Sequence, residues 1–269
     1  MKKINYLLLL SIAVFSLLAF YGCKKDDPEE NINWVLSWSD EFAGAAGQLP
    51  DAAKWNYDTG GGGWGNRELE TYTDKPANVS LDGNGHLVIT AKSDLTSARI
   101  KTKGLFDLQY GKIEASIKLP AGTGMWPAFW MLGNDIDNNT WPSCGEIDIM
   151  EANGVKPTIV HGTIHGPGYS GGSCITSSYT LKSGRIDTDY HLYAVEWSST
   201  SIKFFVDGIQ YSEVKPKDVS SYQWVFDKKF FLILNLAVGG NFVSNPPASS
   251  ITLPKSMYVD YVKVYKNAN

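Results

Sequence analysis

The chain lacks a helical signature. Over its 269 residues no stretch of useful length repeats apolar side chains at the helical period, which argues against a helical domain. It also lacks an excess of positive charge, with 24 Lys and Arg against 28 Asp and Glu, and a net charge of −4 sets nucleic acid aside as a partner. No linker-like break divides residues 34–265, so this part reads as one large domain rather than two ordinary ones. Cysteine is sparse, at three. Two of these, Cys144 and Cys174, fall in the domain, where pairing and two free thiols are both open. Long apolar runs are absent apart from residues 6–21, which follow Lys2 and Lys3 and are short for a spanning helix. Residues 1–22 are therefore expected to be an export signal.

What the chain does have is aromatic side chains, 13% with nine Trp and fourteen Tyr, together with 26 Gly. Strand signals recur at 34–42, 86–92, 110–119, 126–132, 158–165, 190–197, 202–206, 229–238 and 258–265, separated by Gly, Pro and Asn. Many short strands so punctuated predict an all-β antiparallel sandwich. In the last of them, YVDYVKVY, both faces carry apolar groups, which places it inside a sheet rather than at its rim.

Residues 145–151, GEIDIME, place Glu146, Asp148 and Glu151 among Ile, Ile and Met. Strict alternation would put Glu146, Asp148 and residue 150 on one face, but residue 150 is Met and the third acid comes one position late. A β-bulge at Ile149-Met150 would return Glu151 to the face of the other two. Three clustered carboxylates cannot all ionise freely, so their pKa values separate, as acid/base chemistry requires. On the heptapeptide alone, an exposed strand edge studded with charge is the competing reading.

Two aromatic segments accompany this strand. Residues 60–73, GGGGWGNRELETYT, combine a Gly run with Trp64, Asn66, Arg67, Glu68 and Tyr72, and residues 122–133, GTGMWPAFWMLG, present Trp126 and Trp130. Sugars stack their C–H faces on aromatic rings while polar side chains bond the hydroxyls, so such stretches suit a carbohydrate cleft; core packing is the alternative for each Trp. His165 ends the strand expected to pair with GEIDIME.

Together GEIDIME, WPAFWMLG, GGWGNRELETYT, HGTIHG, NLAVGGNF and YVDYVKVY resemble glycoside hydrolase family 16, and within it the bacterial laminarinase-like endo-β-1,3-glucanases, from about Trp38 onward. The resemblance implies a concanavalin-like β-jelly roll, with a glycan cleft on one sheet, over residues 34–269. It implies retaining hydrolysis with Glu146 as nucleophile, Glu151 as general acid/base and Asp148 in support, without a catalytic cofactor. Such a mechanism needs carboxyls about 5–5.5 Å apart, although four strand steps separate Cα atoms by roughly 13 Å, so the two Glu must lean together. Asn66, Arg67, Glu114, Trp126, Trp130 and His165 would contact glucosyl units, with Ser116 departing from the family's usual Arg. Glu41, Gly85 and Asp260 would hold a structural Ca²⁺ through oxygen ligands, a hydrogen-bonded Asp260 without metal being the alternative.

The extra residue at Met150 separates this chain from the regular-strand members that cut mixed-linkage glucan without singling out β-1,3-glucan, so hydrolysis of mixed-linkage β-1,3-1,4-glucan or of an algal galactan is the second enzymatic reading. A non-catalytic glycan-binding protein is the competing class. At the N-terminus, FYGC ending in Cys23 resembles a lipoprotein box, and residues 23–33, opening CKKDDPEE, resemble the acidic tether of bacterial surface lipoproteins. Cys23 is accordingly expected to be lipidated. The domain is expected to act as a monomer at the bacterial surface on β-glucan, touching membrane only through that lipid.

Overall fold

The computed structural model describes residues 32–269. The expected export signal, Cys23 and nearly all of the tether lie outside the described residues. Strands β1 (Trp34–Asp40), β2 (Asn56–Asp58), β3 (Thr71–Tyr72), β4 (Val79–Leu81), β5 (Leu87–Ala91), β6 (Thr96–Ser97) and β7 (Arg99–Lys101) come first. They are followed by β8 (Gly111–Lys118), β9 (Met125–Gly133), β10 (Glu146–Glu151), β11 (Ile159–His165) and β12 (Ile175–Thr180). The chain closes with β13 (His191–Trp197), β14 (Ile202–Val206), β15 (Ile209–Val214), β16 (Phe230–Val238) and β17 (Lys255–Asn267).

Two large antiparallel sheets result, the expected jelly-roll sandwich. One runs β15-β14-β13-β8-β17-β5-β4 with β1 on β17, and the other β12-β11-β10-β9-β16-β7-β2. Their facing sides follow the period of two. Ile113, Ala115 and Ile117 of β8 and Val259, Val262 and Val264 of β17 meet Phe129, Met131, Ile147 and Leu234 from the other sheet in one core. Burying each large side chain of this kind contributes about 1.5–3 kcal/mol. The YVDYVKVY strand lies inside its sheet, between β8 and β5, as its two apolar faces predict.

β16 is the spine of the second sheet. All nine of its residues are buried and it pairs with β9 over its whole length, Phe230↔Gly133 to Val238↔Met125. A strand covered on both faces needs a layer outside the core as well as inside it. A second apolar cluster of Leu132, Cys144, Phe231 and Ile233 supplies part of that outer layer, and the cleft lies beside it.

Candidate active site

A cleft of about 780 Å³ lies on the outward side of the second sheet. Its floor is made by alternate residues of adjacent strands: Glu146 and Asp148 of β10, Trp126 and Trp130 of β9, His161 and His165 of β11, and Asn235 of β16. Trp64 and Glu68 from the glycine-rich loop, Trp141 and Phe242 line it as well.

The bulge is present where the late third acid predicts it. Asp148 pairs with Trp130 and Met150 with the next residue, Phe129, so Ile149 has no partner on β9. On the other side Asp148 pairs with Thr163 and Glu151 with His161, leaving Gly162 opposite both Ile149 and Met150. Those two side chains enter the core, at 1% and 0% exposure, and Glu151 returns to the cleft. Gly162 suits this place because a Cβ there would come within 2.4 Å of the Tyr211 hydroxyl and 2.5 Å of the Phe204 ring.

Glu151 and Glu146 each have a tryptophan donor. Trp126 Nε1 donates to Glu151 Oε1 at 2.8 Å, and Trp141 Nε1 to Glu146 Oε2 at 3.1 Å. The backbone N–H of Gly171 donates to His165 Nδ1 at 3.2 Å, which leaves Nε2 to carry the ring proton. That nitrogen is 3.1 Å from Asp148 Oδ2 and 3.5 Å from Glu146 Oε1. The closer approach is poorly directed, and Asp148 Oδ2 makes no hydrogen bond of good geometry.

Burial pushes all three acids up toward about 8, Glu146 and Glu151 further raised by the charge of Asp148. Glu146 keeps 17% of its side chain exposed to the cleft, so water tempers this desolvation. Glu146 and Asp148 act directly on each other, so their titrations are linked. The contact with Glu146 lowers Asp148 while the charge of Asp148 raises Glu146, so nucleophilic attack by Glu146 requires the proton of the pair to pass to Asp148. Glu146, Asp148 and His165 also bring possible metal-ligand atoms within 4.8 Å of one another.

Asn66, Trp126, Trp130 and His165 reach the cleft with the three acids, whereas Arg67 does not line it. Arg67 is an exposed residue with φ of +60° at the turn beyond Gly63. The guanidinium in the cleft is that of Arg99, 4.7 Å from the Trp130 ring and 4.9 Å from the Trp64 ring, with Nε 2.9 Å from Asp58.

Glu114 corrects the expectation more sharply. It lies on β8 of the opposite sheet, where Ile113, Ala115 and Ile117 take the core and force Glu114 and Ser116 to the far surface. There Glu114 is bonded by Lys112 at 2.8 Å and the Tyr265 hydroxyl at 3.1 Å, so it contacts no substrate in the cleft. Residues 110–119, YGKIEASIKL, already show the alternation that excludes it.

Both cysteines are free thiols. Cys144 packs in the outer apolar cluster, where burial and then Glu146 push its thiol up to about 11, while Cys174 is half-buried in the cleft wall. Trp141 and Phe242 were within reach of sequence reasoning, five residues before Glu146 and inside NLAVGGNF respectively. His161 and Asn235 stand at the heads of HGTIHG and NLAVGGNF, whereas Arg99 carries no such signal.

On the far sheet two of the residues expected to hold calcium, Glu41 and Gly85, come together. β17 pairs with β5 up to Val259↔Leu87 and with β1 from Val262↔Asp40, which leaves Asp260 and Tyr261 unpaired on that edge. A Cβ on Gly85 would lie 4.0 Å from the Glu41 carbonyl oxygen, so these two segments approach each other. The Asp260 side chain takes no hydrogen bond and no ion pair among the described residues. An unpartnered carboxylate has the oxygen chemistry that suits a hard cation.

Residues 66–261 match the family of glycosyl hydrolases family 16. A β-glucanase of Rhodothermus marinus is 37% identical over 94% of this chain and 93% of its own. The laminarinase catalytic domain of Thermotoga maritima superposes with a TM-score of 0.83 at 44% identity, covering 88% of this chain and all of that one. The endo-β-1,3-glucanase of Pyrococcus furiosus gives the same TM-score and identity over 89% of this chain and 97% of its own. With the bulged acidic strand at the centre of the cleft and similarity of this extent on both sides of it, the chain belongs to glycoside hydrolase family 16.

Proposed function

We propose that the protein is a retaining endo-β-1,3-glucanase acting on laminarin-like polysaccharide. The observation that carries this reading is the bulge, which sets Glu151 on the face of Glu146 with Asp148 between them in an aromatic-lined cleft. The relatives described as laminarinase and endo-β-1,3-glucanase support the β-1,3 linkage.

In the first step Glu151, kept protonated by burial, gives its proton to the glycosidic oxygen as the C–O bond breaks. Glu146 attacks the anomeric carbon and becomes a glycosyl ester. The Trp141 N–H orients one Glu146 oxygen, while the proton shared with Asp148 steadies the carboxylate before attack and as it leaves. In the second step Glu151, now ionised, takes a proton from water, which opens the ester and restores both acids. The Trp126 N–H holds Glu151 in place for both transfers.

Incubating the purified domain with laminarin, lichenan and agarose tests the reading. New reducing ends should appear first and fastest from laminarin; binding without hydrolysis of any of the three would overturn it. Glu146→Ser should abolish turnover while leaving oligosaccharide binding intact, and retained turnover would remove Glu146 from its role.

Two further expectations concern the whole protein. Lipidation of Cys23 would tether the enzyme at the bacterial surface through the polar residues that follow it. Palmitate labelling of the full chain should be lost in Cys23→Ala. The oxygens of Glu41, Gly85 and Asp260 would hold a structural Ca²⁺ that takes no part in bond cleavage.

A further inference from the structure

Glu70 is 1% exposed, takes no part in the proposed chemistry, and stands at the root of the glycine-rich loop that carries Trp64, Asn66 and Glu68 into the cleft. Its Oε2 accepts the backbone N–H of Val238 at 2.6 Å, standing in for a neighbouring strand beyond the reach of β7. Its Oε1 is buried with no conventional partner, and the group it faces is the carboxyl of Glu68. Two carboxyl groups in contact need a proton between them, and the orphan oxygen is where it sits.

Glu68 in turn accepts from Asn66 Nδ2 at 3.2 Å and from the Tyr72 hydroxyl at 3.0 Å. That hydroxyl accepts from Asn235 Nδ2 at 3.1 Å, and Asn235 Oδ1 accepts from Trp130 Nε1 at 2.8 Å. One chain of hydrogen bonds therefore joins Glu68, the neighbour of Glu70, to the aromatic floor.

We propose that Glu70 is a positioning residue for glucan binding: its carboxylic acid proton, donated to Glu68 while Val238 anchors its other oxygen, clamps residues 60–72 over the cleft. Loss of the proton sets the buried Glu70 carboxylate against that of the half-buried Glu68 and lifts the loop. Burial and the contact with Glu68 raise Glu70 to about 8, so the clamp holds at neutral pH and releases above it. The other titratable or charged groups around the pair are Tyr72 on its own segment, Arg99 from β7 and Glu151 from β10; β16 contributes none.

The inference rests on the glucanase reading for its kinetic test but not for its structural one. Glu70→Gln supplies a donor to Glu68 and an acceptor to Val238 that do not titrate. Wild-type KM for laminarin should climb by up to about tenfold per pH unit above the release point, while the Glu70→Gln KM stays flat and the two kcat profiles remain parallel. Glu70→Ala should show the raised KM already at pH 6.5, with kcat little changed. Limited proteolysis at residues 60–63 needs no substrate: cleavage should accelerate above pH 8 in wild type but not in Glu70→Gln. Identical pH profiles for wild type and Glu70→Gln, in KM and in proteolysis, would overturn the clamp. Failure to cut laminarin with the proteolysis difference intact would overturn the substrate reading alone.

Discussion

Glu151 must hold a proton at the pH where Glu146 has lost one; burial raises both, and the Arg99 guanidinium draws Glu146 back toward ionisation. Raising a carboxyl has a price in stability with a definite sign. The folded state binds the Glu151 proton more tightly than the unfolded chain, so this contribution is complete below the ordinary value of 4.5 and is lost as pH rises through about 8. Glu151→Gln removes the loss. Its melting temperature should gain on that of wild type between pH 5 and pH 9, by at least about 2 °C, and a constant difference across that range in calorimetry would contradict the assignment. At this scale Glu146, Asp148 and Glu151 were legible because charge inside an apolar strand demands an explanation. Arg99 was not, since Arg-Ile-Lys on a short strand says nothing about two Trp rings brought there by distant segments. Glu114 was misplaced because the resemblance was followed where the local alternation of β8 pointed the other way.

β10 is the element in which sequence and site meet most directly, and its bulge depends on its neighbour. Gly162 has a Tyr211 hydroxyl and a Phe204 ring where a side chain would start, while Ile149 and Met150 fill the core on the other side. Gly162→Ala should therefore cost about 1–3 kcal/mol by overpacking, read as a lower urea midpoint. It should also lower kcat, because Glu151 pairs with the adjacent His161. Unchanged stability would mean that β11 tolerates the displacement. The long inner strands β8, β9, β11, β13, β16 and β17 were readable from their apolar runs and bounding turns. The edge strands β12 and β15 were not, because half-exposed residues such as those of Ile175–Thr180 offer too little apolar contrast.

As a whole molecule the sandwich separates its tasks by sheet, with chemistry on one and a cation site proposed for the other. If calcium binds at Asp260, it bridges the place where β17 exchanges β5 for β1, and its effect falls on unfolding rather than on turnover. Chelation should lower the melting temperature by several degrees while initial rates at 25 °C stay within a factor of two, roughly the separation expected of a remote structural ion. Added Ca²⁺ should restore the melting temperature in wild type and not in Asp260→Ala. Equal melting with and without chelator would leave Asp260 as a metal-free acid. The bulge, finally, makes the distance between proton donor and nucleophile a matter of residue count. A strand offers two faces, and an uncounted residue lets five positions along β10 serve as four. Insertions and deletions at residues 149–150 are thus the steps by which such a cleft can be retuned toward other linkages, a route that substitution of side chains alone does not open.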